Sequence, residues 1–257
     1  MINVLQAIFL GIVQGITEWL PISSSGHLVI VQTLFNLESP MLFDLVIHIA
    51  TLVVIFGVFR KDILDIIRAF LKRDYKSKEF KLGIFILIGN IPIVLLGYFL
   101  RSYIQAAFSS IFVVSFSLLF TGVLLFFSNW SRISKPLEAR SALLTGVFQA
   151  LAIFPGISRS GATISGAMIQ GISKEEAVRF SFLMAIPAFI GAIVLNFNNF
   201  TIQMFNTPFI IGFITALGIG FIFLKLLLKI VRNNKLHYFA YYCWALGIFI
   251  LLFPSIF

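Results

Sequence analysis

The sequence predicts an all-α integral membrane protein, with about six transmembrane helices and two re-entrant helix–loop–helix hairpins from an inverted internal repeat. Hydrophobic residues make up 60% of the 257 residues and charged residues only 11%, whereas soluble domains carry about 25% charged residues. Several apolar runs are long enough to cross a hydrocarbon core roughly 30 Å thick. They do not alternate with polar residues and are rich in Leu, Ile and Phe, which favours helices over a β-barrel. We therefore expect one membrane domain over residues 1–257.

The apolar runs that lie between charged segments predict six membrane-crossing helices. Their predicted bounds are 41–59, 82–100, 111–129, 180–197, 208–230 and 238–256. Ahead of the fourth span, Ser173 and Glu176 form an S-x-x-E capping box, which predicts that a helix begins there and runs into the span. The charged segment 60–81, between the first two spans, is then expected to be a loop.

The net charge of +9 is explained by membrane topology rather than by nucleic acid. Seventeen of the 19 Lys and Arg residues fall in four segments between apolar runs. These segments are Arg60–Lys81, Arg132–Arg140, Lys174–Arg179 and Lys225–Lys235. Because Lys and Arg collect in short cytoplasmic loops, the cytoplasmic side should hold residues 60–81, 130–140, 171–179 and 229–237. We expect membrane lipid, and no nucleic acid, as a partner.

Two further apolar stretches, 3–34 and 141–170, are interrupted halfway by Pro, Gly and Ser. Basic segments flank 141–170 on both sides, so this stretch should enter and leave the membrane from the cytoplasm. The span 41–59 ends at the cytoplasmic Arg60 and so begins outside, near Glu38, which lets 3–34 enter and leave from outside. The two re-entrant hairpins should therefore point at each other. The first lacks a small-residue cleavage signal, so we expect it in the mature protein.

An internal repeat supports this inverted arrangement. When the first hairpin is shifted by 135 positions, seven of the 20 residues from 7 to 26 meet identical residues without a gap. Ala7, Gly11, Gln14, Ile22, Ser23, Ser25 and Gly26 meet Ala142, Gly146, Gln149, Ile157, Ser158, Ser160 and Gly161. Inverted repeats commonly place a binding site at their interface. The alignment sets Ser24 against Arg159 and Glu18 against Ile153, so the repeats differ where chemistry is expected.

The ionisable residues of the hairpins are candidates for a site, because such side chains are costly at membrane depth unless they are paired or hydrated. They are Glu18, His27 and Arg159. Gln14 and Glu18 lie one helical turn apart on one face and lead into a turn that contains Ser24. A purely structural ion pair between Glu18 and Arg159 is the alternative.

The second hairpin has the composition of a phosphate cradle. Its PGISRSGAT segment, residues 155–163, combines Gly where backbone can approach a ligand, Ser hydroxyls, and an Arg whose fork suits phosphate oxygens. If a helix restarts near Ser160, its free amides and positive dipole end also favour an anion. The segment is not a Walker loop, because G-x-x-x-x-G-K-[ST] does not occur in the chain.

Two further polar residues lie in the first predicted span. Asp44 and His48 are four residues apart, and a structural pair between them is favoured over a position at the site entrance or at the membrane interface. Cys243 is the single cysteine, which excludes an intrachain disulfide.

Taken together, the motifs of the two hairpins resemble the bacterial undecaprenyl-diphosphate phosphatase family, of the bacitracin-resistance type. The family combines (Glu/Gln)-x-x-x-Glu and P-x-S-S-x-G-H with P-G-x-S-R-S-x-x-T. This chain has Gln14 to Glu18, PISSSGH at 21–27 and PGISRSGAT at 155–163, and the similarity covers essentially the whole chain. The resemblance implies a hydrolase that removes the terminal phosphate of undecaprenyl diphosphate with Mg²⁺ or Ca²⁺, recycling the lipid carrier for cell-wall synthesis. It also implies a multi-pass protein of the bacterial plasma membrane, with its site facing the extracytoplasmic side.

The resemblance also implies roles for residues of this sequence. The catalytic set is Glu18, Ser24, His27 and Arg159, the substrate-binding set is Ser23, Gly156, Ser158, Ser160 and Thr163, and the metal ligands are Glu18 and Gln14. Many members have Glu where this chain has Gln14, and a neutral amide cannot serve as a base or an anionic ligand. The nucleophile is left open between Ser24 and His27. Imidazole titrates near neutral pH and suits proton transfer, which favours Ser24 as the nucleophile.

The alternative function is a transporter or flippase of a phosphorylated isoprenoid lipid, because inverted repeats with broken helices also build secondary transporters. Such a carrier would use Arg159 but has no evident use for Glu18, Ser24 and His27 together. A structural membrane component without a site does not explain why Glu18 and Arg159 lie in apolar sequence. The expected partners are a polyprenyl diphosphate lipid and membrane lipid, and a homodimer is left open.

Overall fold

The computed structural model describes residues 2–37, 41–128, 135–196 and 206–256. Within these ranges there are twelve α-helices, and the only β-type pairing is a single bridge between Lys135 and Ile172. The helices are α1 (Val4–Thr17), α2 (Ser24–Leu34), α3 (Met41–Val58), α4 (Arg60–Leu71), α5 (Lys78–Phe99), α6 (Arg101–Phe108), α7 (Ile111–Phe127), α8 (Ala139–Leu151), α9 (Arg159–Ile169), α10 (Lys174–Leu195), α11 (Thr207–Arg232) and α12 (Tyr238–Leu252).

The predicted class, an all-α membrane protein, is confirmed. Among the described residues, α5, α10 and α11 are each long and apolar enough to cross a membrane alone. The α3–α4 pair is bent by 75° and the α6–α7 pair by 99°, which gives up to five spans if each pair counts as one. The sixth predicted span, 238–256, is shorter than expected, since α12 has 15 residues and ends at Leu252. Pro254 follows, and its ring and missing N–H oppose continuation of the helix.

α4 corrects the prediction of a loop over 60–81. Ile66 and Phe70 lie one turn apart on α4 and pack on Gly83 of α5, where an added Cβ would lie 3.0 Å from Ile66 and 2.3 Å from Phe70. Most charged residues of the segment are exposed. The prediction weighed charge density alone and missed apolar residues at helical spacing.

The helix start predicted from the capping box is confirmed. The Ser173 hydroxyl accepts a hydrogen bond from the Glu176 backbone N–H at 3.3 Å, and α10 begins directly after it. Other predictions fall outside the described residues: the span ends at 129 and 197, the segment 130–134, and the outer start near Glu38.

The two predicted hairpins have the same arrangement of helices. α1 and α2 form the first, α8 and α9 form the second, and α9 begins 135 positions after α2. Ser23 and Ser158 cap α2 and α9, and their hydroxyls accept hydrogen bonds from the N–H groups of Gly26 at 3.2 Å and Gly161 at 3.1 Å. Residues that are identical in the repeat therefore make the same local contacts.

The first helix of each hairpin packs on a helix from the other half of the sequence. α1 packs most extensively on α11, α8 packs on α5, and α7 packs on α12. Each hairpin is thus held by a helix from the other half, as expected for a pseudo-two-fold repeat. This packing brings the two interhelical turns together.

The close packing of α8 on α5 depends on Gly146. A Cβ there would lie 2.2 Å from the Gly89 carbonyl oxygen. We expect Gly146→Ala to lower the free energy of unfolding by about 1–3 kcal/mol, because backbone must move to make room. Thermal unfolding of the purified protein in detergent measures this loss. The matched control is Gly218→Ala, at a helical position where an added Cβ meets nothing within 4 Å, and equal losses in both variants would contradict the packing argument.

The largest buried cluster lies around the hairpin turns. It includes Trp19 and Ile22 from the first turn, Ile164 from α9, and Phe180 and Phe182 from α10. The rings of Trp19 and Phe182 are 5.6 Å apart, within the range of favourable aromatic pairs. Polar groups at the turns are therefore held against a packed core.

Candidate active site

Glu18 follows the C-terminus of α1 and lies at the centre of a polar cluster between the two turns. Its side chain is only 5% exposed. Oε2 accepts hydrogen bonds from Ser24 Oγ at 2.6 Å and from Gln14 Nε2 at 3.1 Å, and Oε1 accepts one from Arg159 Nη2. A buried carboxylate needs such compensation for its lost hydration. Four residues predicted for the site thus meet at one carboxylate.

Ser23 ties the first turn to the second. Its backbone has φ +71° and ψ 98°, which is rare and strained for a residue other than glycine. Its hydroxyl accepts hydrogen bonds from the N–H groups of Gly26 at 3.2 Å and Gly156 at 3.1 Å, and the second of these crosses between the hairpins. These contacts hold the turn so that Ser24 begins α2 beside Glu18.

Arg159 is the first residue of α9 and the repeat equivalent of Ser24. Its Nη2 donates to Glu18, and its Cζ lies 4.5 Å from the centre of the Phe189 ring, a cation–π contact. Nη1 is buried and has no hydrogen-bond partner within the described part of the chain. A buried donor without a partner is costly. This nitrogen is therefore available to a ligand acceptor, which a purely structural pair with Glu18 does not explain.

Gly156 shapes the second turn. Its φ is +98°, a conformation that favours glycine, and an added Cβ would lie 2.4 Å from the Val114 carbonyl oxygen. Thr121 of α7 supports the same turn, because its hydroxyl donates to the Gly156 carbonyl oxygen at 2.9 Å and accepts from the Ser158 N–H at 3.1 Å. Sequence reasoning missed Thr121, since a single Thr in an apolar span carries no motif. Contact between Gly156 and substrate stays a prediction.

Ser158, Ser160 and Thr163 are buried around the start of α9. Ser160 Oγ donates to the Trp19 carbonyl oxygen at 3.4 Å, and Thr163 Oγ1 donates to the Arg159 carbonyl oxygen at 2.7 Å. With the Ser158 cap, these bonds fix the helix start that carries Arg159. A direct role of the three hydroxyls in substrate binding stays a prediction.

His27 lies in the first turns of α2. Its Nδ1 is 2.7 Å from the Ser23 carbonyl oxygen, which can only accept, so Nδ1 carries the hydrogen. In the neutral ring, Nε2 accepts from the Tyr242 hydroxyl at 2.8 Å, and the two rings stack 5.7 Å apart. Both ring nitrogens are therefore engaged by groups other than Ser24, and a catalytic role for His27 stays a prediction. Tyr242 was not found from the sequence.

His48 belongs to the Glu18 cluster and also pairs with Asp44, although through the Asp44 backbone rather than through a hydrogen bond to its carboxylate. His48 Nδ1 bonds to the backbone carbonyl oxygen of Asp44 at 2.6 Å, while the Asp44 carboxylate accepts from Gln32 Nε2 at 2.7 Å. Nε2 of His48 lies 3.8 Å from Glu18 Oε2. The spacing of four residues was visible in the sequence, but the contact between α3 and the first hairpin was not.

The cluster offers oxygen ligands for a divalent cation, but the described side chains do not complete its coordination sphere. Among the described residues, no group of three or more His, Cys, Asp or Glu side chains is arranged to hold a metal. Glu18 offers a carboxylate, and Gln14 offers a buried Oε1 that has no hydrogen-bond partner in the described ranges. Mg²⁺ commonly binds through one or two carboxylates together with waters and substrate phosphates. Glu18 and Gln14 therefore have the chemistry of two ligands for a hydrated divalent cation.

Residues 7–249 match the family model described as Bacitracin resistance protein BacA. The chain belongs to this family. The BacA-family match contains both hairpin turns and all the side chains described above in contact with Glu18, so the resemblance found in the motifs is confirmed.

Three relatives of the BacA-family chain align with it over nearly the whole length. The undecaprenyl-diphosphatase of Korarchaeum cryptofilum is 42% identical and aligns over 97% of this chain and 98% of its own. The undecaprenyl-diphosphatase of Carboxydothermus hydrogenoformans is 41% identical, over 97% of each chain. That of Halothermothrix orenii is 39% identical, over 99% of this chain and 100% of its own.

Proposed function

We propose that this chain is a membrane phosphatase that hydrolyses undecaprenyl diphosphate to undecaprenyl phosphate and inorganic phosphate, recycling the lipid carrier for cell-wall synthesis. Membership of the BacA family and relatives named undecaprenyl-diphosphatase support the substrate. The observation that carries the proposal is the buried Nη1 of Arg159, which lacks a partner among the described residues and lies beside the Ser24–Glu18 hydrogen bond. A free cationic donor thus adjoins a paired hydroxyl and carboxylate.

Arg159 and the two helix starts bind the diphosphate. Nη1 donates to a phosphate oxygen, while Phe189 and Glu18 hold the guanidinium in place. α2 begins at Ser24 and α9 at Arg159, and both residues contact Glu18. The positive dipole ends of both helices therefore lie near the same point, where they favour an anion. The isoprenoid tail lies along the apolar helices.

Ser24 is the nucleophile and Glu18 the general base. The 2.6 Å between Ser24 Oγ and Glu18 Oε2 is a nucleophile–base hydrogen bond. Oγ attacks the terminal phosphorus and gives its proton to Glu18, and the bond from that phosphorus to the bridging oxygen breaks. Undecaprenyl phosphate leaves with the bridging oxygen, while Arg159 offsets the charge that develops on the phosphoryl oxygens. After Glu18 has lost its proton to solvent, it deprotonates a water that attacks the phosphorus of the phosphoserine. The bond between phosphorus and Ser24 Oγ breaks, Glu18 returns the proton to Oγ, and inorganic phosphate leaves.

A divalent cation, Mg²⁺ or Ca²⁺, fits this scheme, and Glu18 and Gln14 would hold it. When bound, the cation neutralises charge on the diphosphate oxygens. Because Gln14 is neutral, Glu18 alone supplies the negative charge of this ligand pair.

A flippase of a phosphorylated isoprenoid lipid is less well supported. Such a protein would use the anion-binding groups of Arg159, but it has no use for a hydroxyl held 2.6 Å from a buried carboxylate. Movement of labelled lipid across vesicles without phosphate release would favour the flippase.

The site opens to the extracytoplasmic side of the plasma membrane in this proposal. The clustering of Lys and Arg in segments such as 60–81 supports a cytoplasmic position for those segments. Reporter fusions that place 60–81 outside would contradict this orientation. A homodimer stays a prediction that mass measurement in detergent checks.

Release of inorganic phosphate from undecaprenyl diphosphate by the purified protein tests the proposed function. The assay contains Mg²⁺ or Ca²⁺, and thermal unfolding in the same detergent shows that the protein is folded. A folded protein that releases no phosphate with either cation contradicts the proposal.

Arg159→Lys is expected to lower kcat/KM by about 10²–10³-fold, because Lys keeps the charge but loses the planar fork that spans Glu18 and phosphate. The matched control is Arg179→Lys. Arg179 forms an ion pair with Asp62 at 2.5 Å, and its side chain is 41% exposed. We expect the control to stay within roughly threefold of the unmodified protein. Similar losses in the two variants would indicate a general requirement for Arg rather than phosphate recognition.

A further inference from the structure

His48 presents a bare imidazole nitrogen to the Glu18 carboxylate. Its Nδ1 bonds to the Asp44 carbonyl oxygen at 2.6 Å, and since a carbonyl only accepts, Nδ1 carries the hydrogen. Nε2 of the neutral ring is then an acceptor. It lies 3.8 Å from Glu18 Oε2, which is also an acceptor. Two acceptors therefore face each other.

Facing lone pairs repel more strongly where water is scarce, and the two side chains are 26% and 5% exposed. A cation between the two atoms relieves this repulsion, and it is either a second proton on the imidazole or a metal ion. The separation favours the metal ion. At 3.8 Å a proton on Nε2 makes no hydrogen bond of normal length with Oε2. Two ligands that are each about 2.1 Å from one metal lie roughly 3.0–3.4 Å apart at angles of 90–109°, so a small closure suffices.

Two other contacts fit a metal ligand at this position. A histidine that binds metal usually donates its second ring N–H to a carbonyl or carboxylate, as His48 does to the Asp44 backbone. Gln14, which already contacts Glu18, has a fully buried Oε1 without a hydrogen-bond partner among the described residues. His48, Glu18 and Gln14 thus offer one nitrogen and two kinds of oxygen around the same carboxylate.

We propose that His48 Nε2 is a further ligand of the divalent cation held by Glu18 and Gln14, and that this imidazole makes the site favour Mn²⁺ or Co²⁺ over Ca²⁺. Imidazole is a good ligand for transition metals, whereas Ca²⁺ selects oxygen. The proposal rests on the proposed function, because the substrate diphosphate would complete the coordination.

Pulsed electron paramagnetic resonance of bound Mn²⁺ tests the ligand directly. The full chain in detergent is measured with Mn²⁺ alone and with Mn²⁺ plus methylenediphosphonate, which replaces the diphosphate without being hydrolysed. We expect coupling to the ¹⁴N nucleus of an imidazole. His48→Gln should abolish this coupling and weaken Mn²⁺ binding about 10–100-fold. Ca²⁺ binding should change by less than roughly threefold, because the amide oxygen of Gln suits Ca²⁺.

His237→Gln is the matched control, because His237 is the N-cap residue of α12 and has no assigned part in the site. It should leave the ¹⁴N coupling and Mn²⁺ binding unchanged. The proposal is overturned by Mn²⁺ that binds without ¹⁴N coupling, by coupling that survives in His48→Gln, or by no Mn²⁺ binding in either arm. Phosphate release by the unmodified protein is measured separately. Release without ¹⁴N coupling removes His48 as a ligand and leaves the phosphatase function standing. Coupling without release keeps His48 as a metal ligand and contradicts the phosphatase function.

Discussion

Replacing Ser24 with Ala is expected to lower kcat for phosphate release by roughly 10⁴-fold or more, with little change in KM. Loss of a nucleophile removes the covalent route, and only binding and charge stabilisation are left to accelerate the reaction. The substitution deletes one oxygen, the one 2.6 Å from Glu18 Oε2, and leaves the Arg159–Glu18 pair in place. Steady-state assays with undecaprenyl diphosphate measure both parameters.

Ser25→Ala is the matched control for Ser24→Ala. Its hydroxyl is 3.3 Å from that of Ser23, and Ser25 is not among the described residues that donate a hydrogen bond to Glu18, so kcat should stay within roughly threefold. Rapid acid quenching with substrate labelled in the terminal phosphate should leave label on the unmodified protein and none on Ser24→Ala. A kcat for Ser24→Ala within tenfold of the unmodified protein would show that water, activated by Glu18, attacks phosphorus directly.

Replacing Glu18 with Gln is expected to lower kcat by about 10³–10⁴-fold, because the neutral amide cannot accept the Ser24 proton. The same change leaves the buried Arg159 without its counter-charge. Breaking a buried ion pair from one side costs about 3–5 kcal/mol, so we also expect a lower free energy of unfolding. Phosphate release and thermal unfolding in detergent measure the two effects.

The double variant Glu18→Gln/Arg159→Gln separates these two effects. Removing both charges should restore part of the stability, since no unpaired charge is left in the site, while phosphate release stays low. Recovery of activity together with stability would mean that the pair serves folding alone. That result would revive the structural ion pair as the explanation for these two residues.

Pro, Gly and Ser in the middle of each apolar stretch were sufficient to predict a helix–loop–helix there, and the structure shows the caps that begin the second helices. Ser23 and Ser158 cap the second helix of each hairpin through bonds to a glycine three residues ahead, and such caps depend on a few neighbouring residues. The loop predicted over 60–81 failed because charge density was weighed and the apolar residues at helical spacing were not. Ile66 and Phe70 stabilise α4 by packing on Gly83 of another helix, and charge density along the chain carries no trace of that neighbour.

The kinds of residue in the site could also be predicted, and so could a pair between Glu18 and Arg159, but the contacts of His48 and Thr121 could not. Glu18, Ser24 and Arg159 were found because polar groups in apolar sequence are rare and fit a family motif. His48 was assigned to Asp44 because residues four apart share a helix face, yet its Nε2 faces Glu18 at 3.8 Å. Thr121 could not be found, because its importance lies in two bonds to a distant turn.

By itself, the sequence determined the class of protein, the repeated hairpins and the chemical groups available for phosphate transfer. The composition of the whole chain decides whether lipid or water surrounds it, and caps and turns depend on a few neighbouring residues. These features can therefore be predicted from the sequence. Only the tertiary structure decided which groups meet. Glu18 and Arg159 are 141 residues apart in sequence, and His48 reaches them from a third helix. Their contact depends on how α1, α3 and α9 pack together, which no local pattern records.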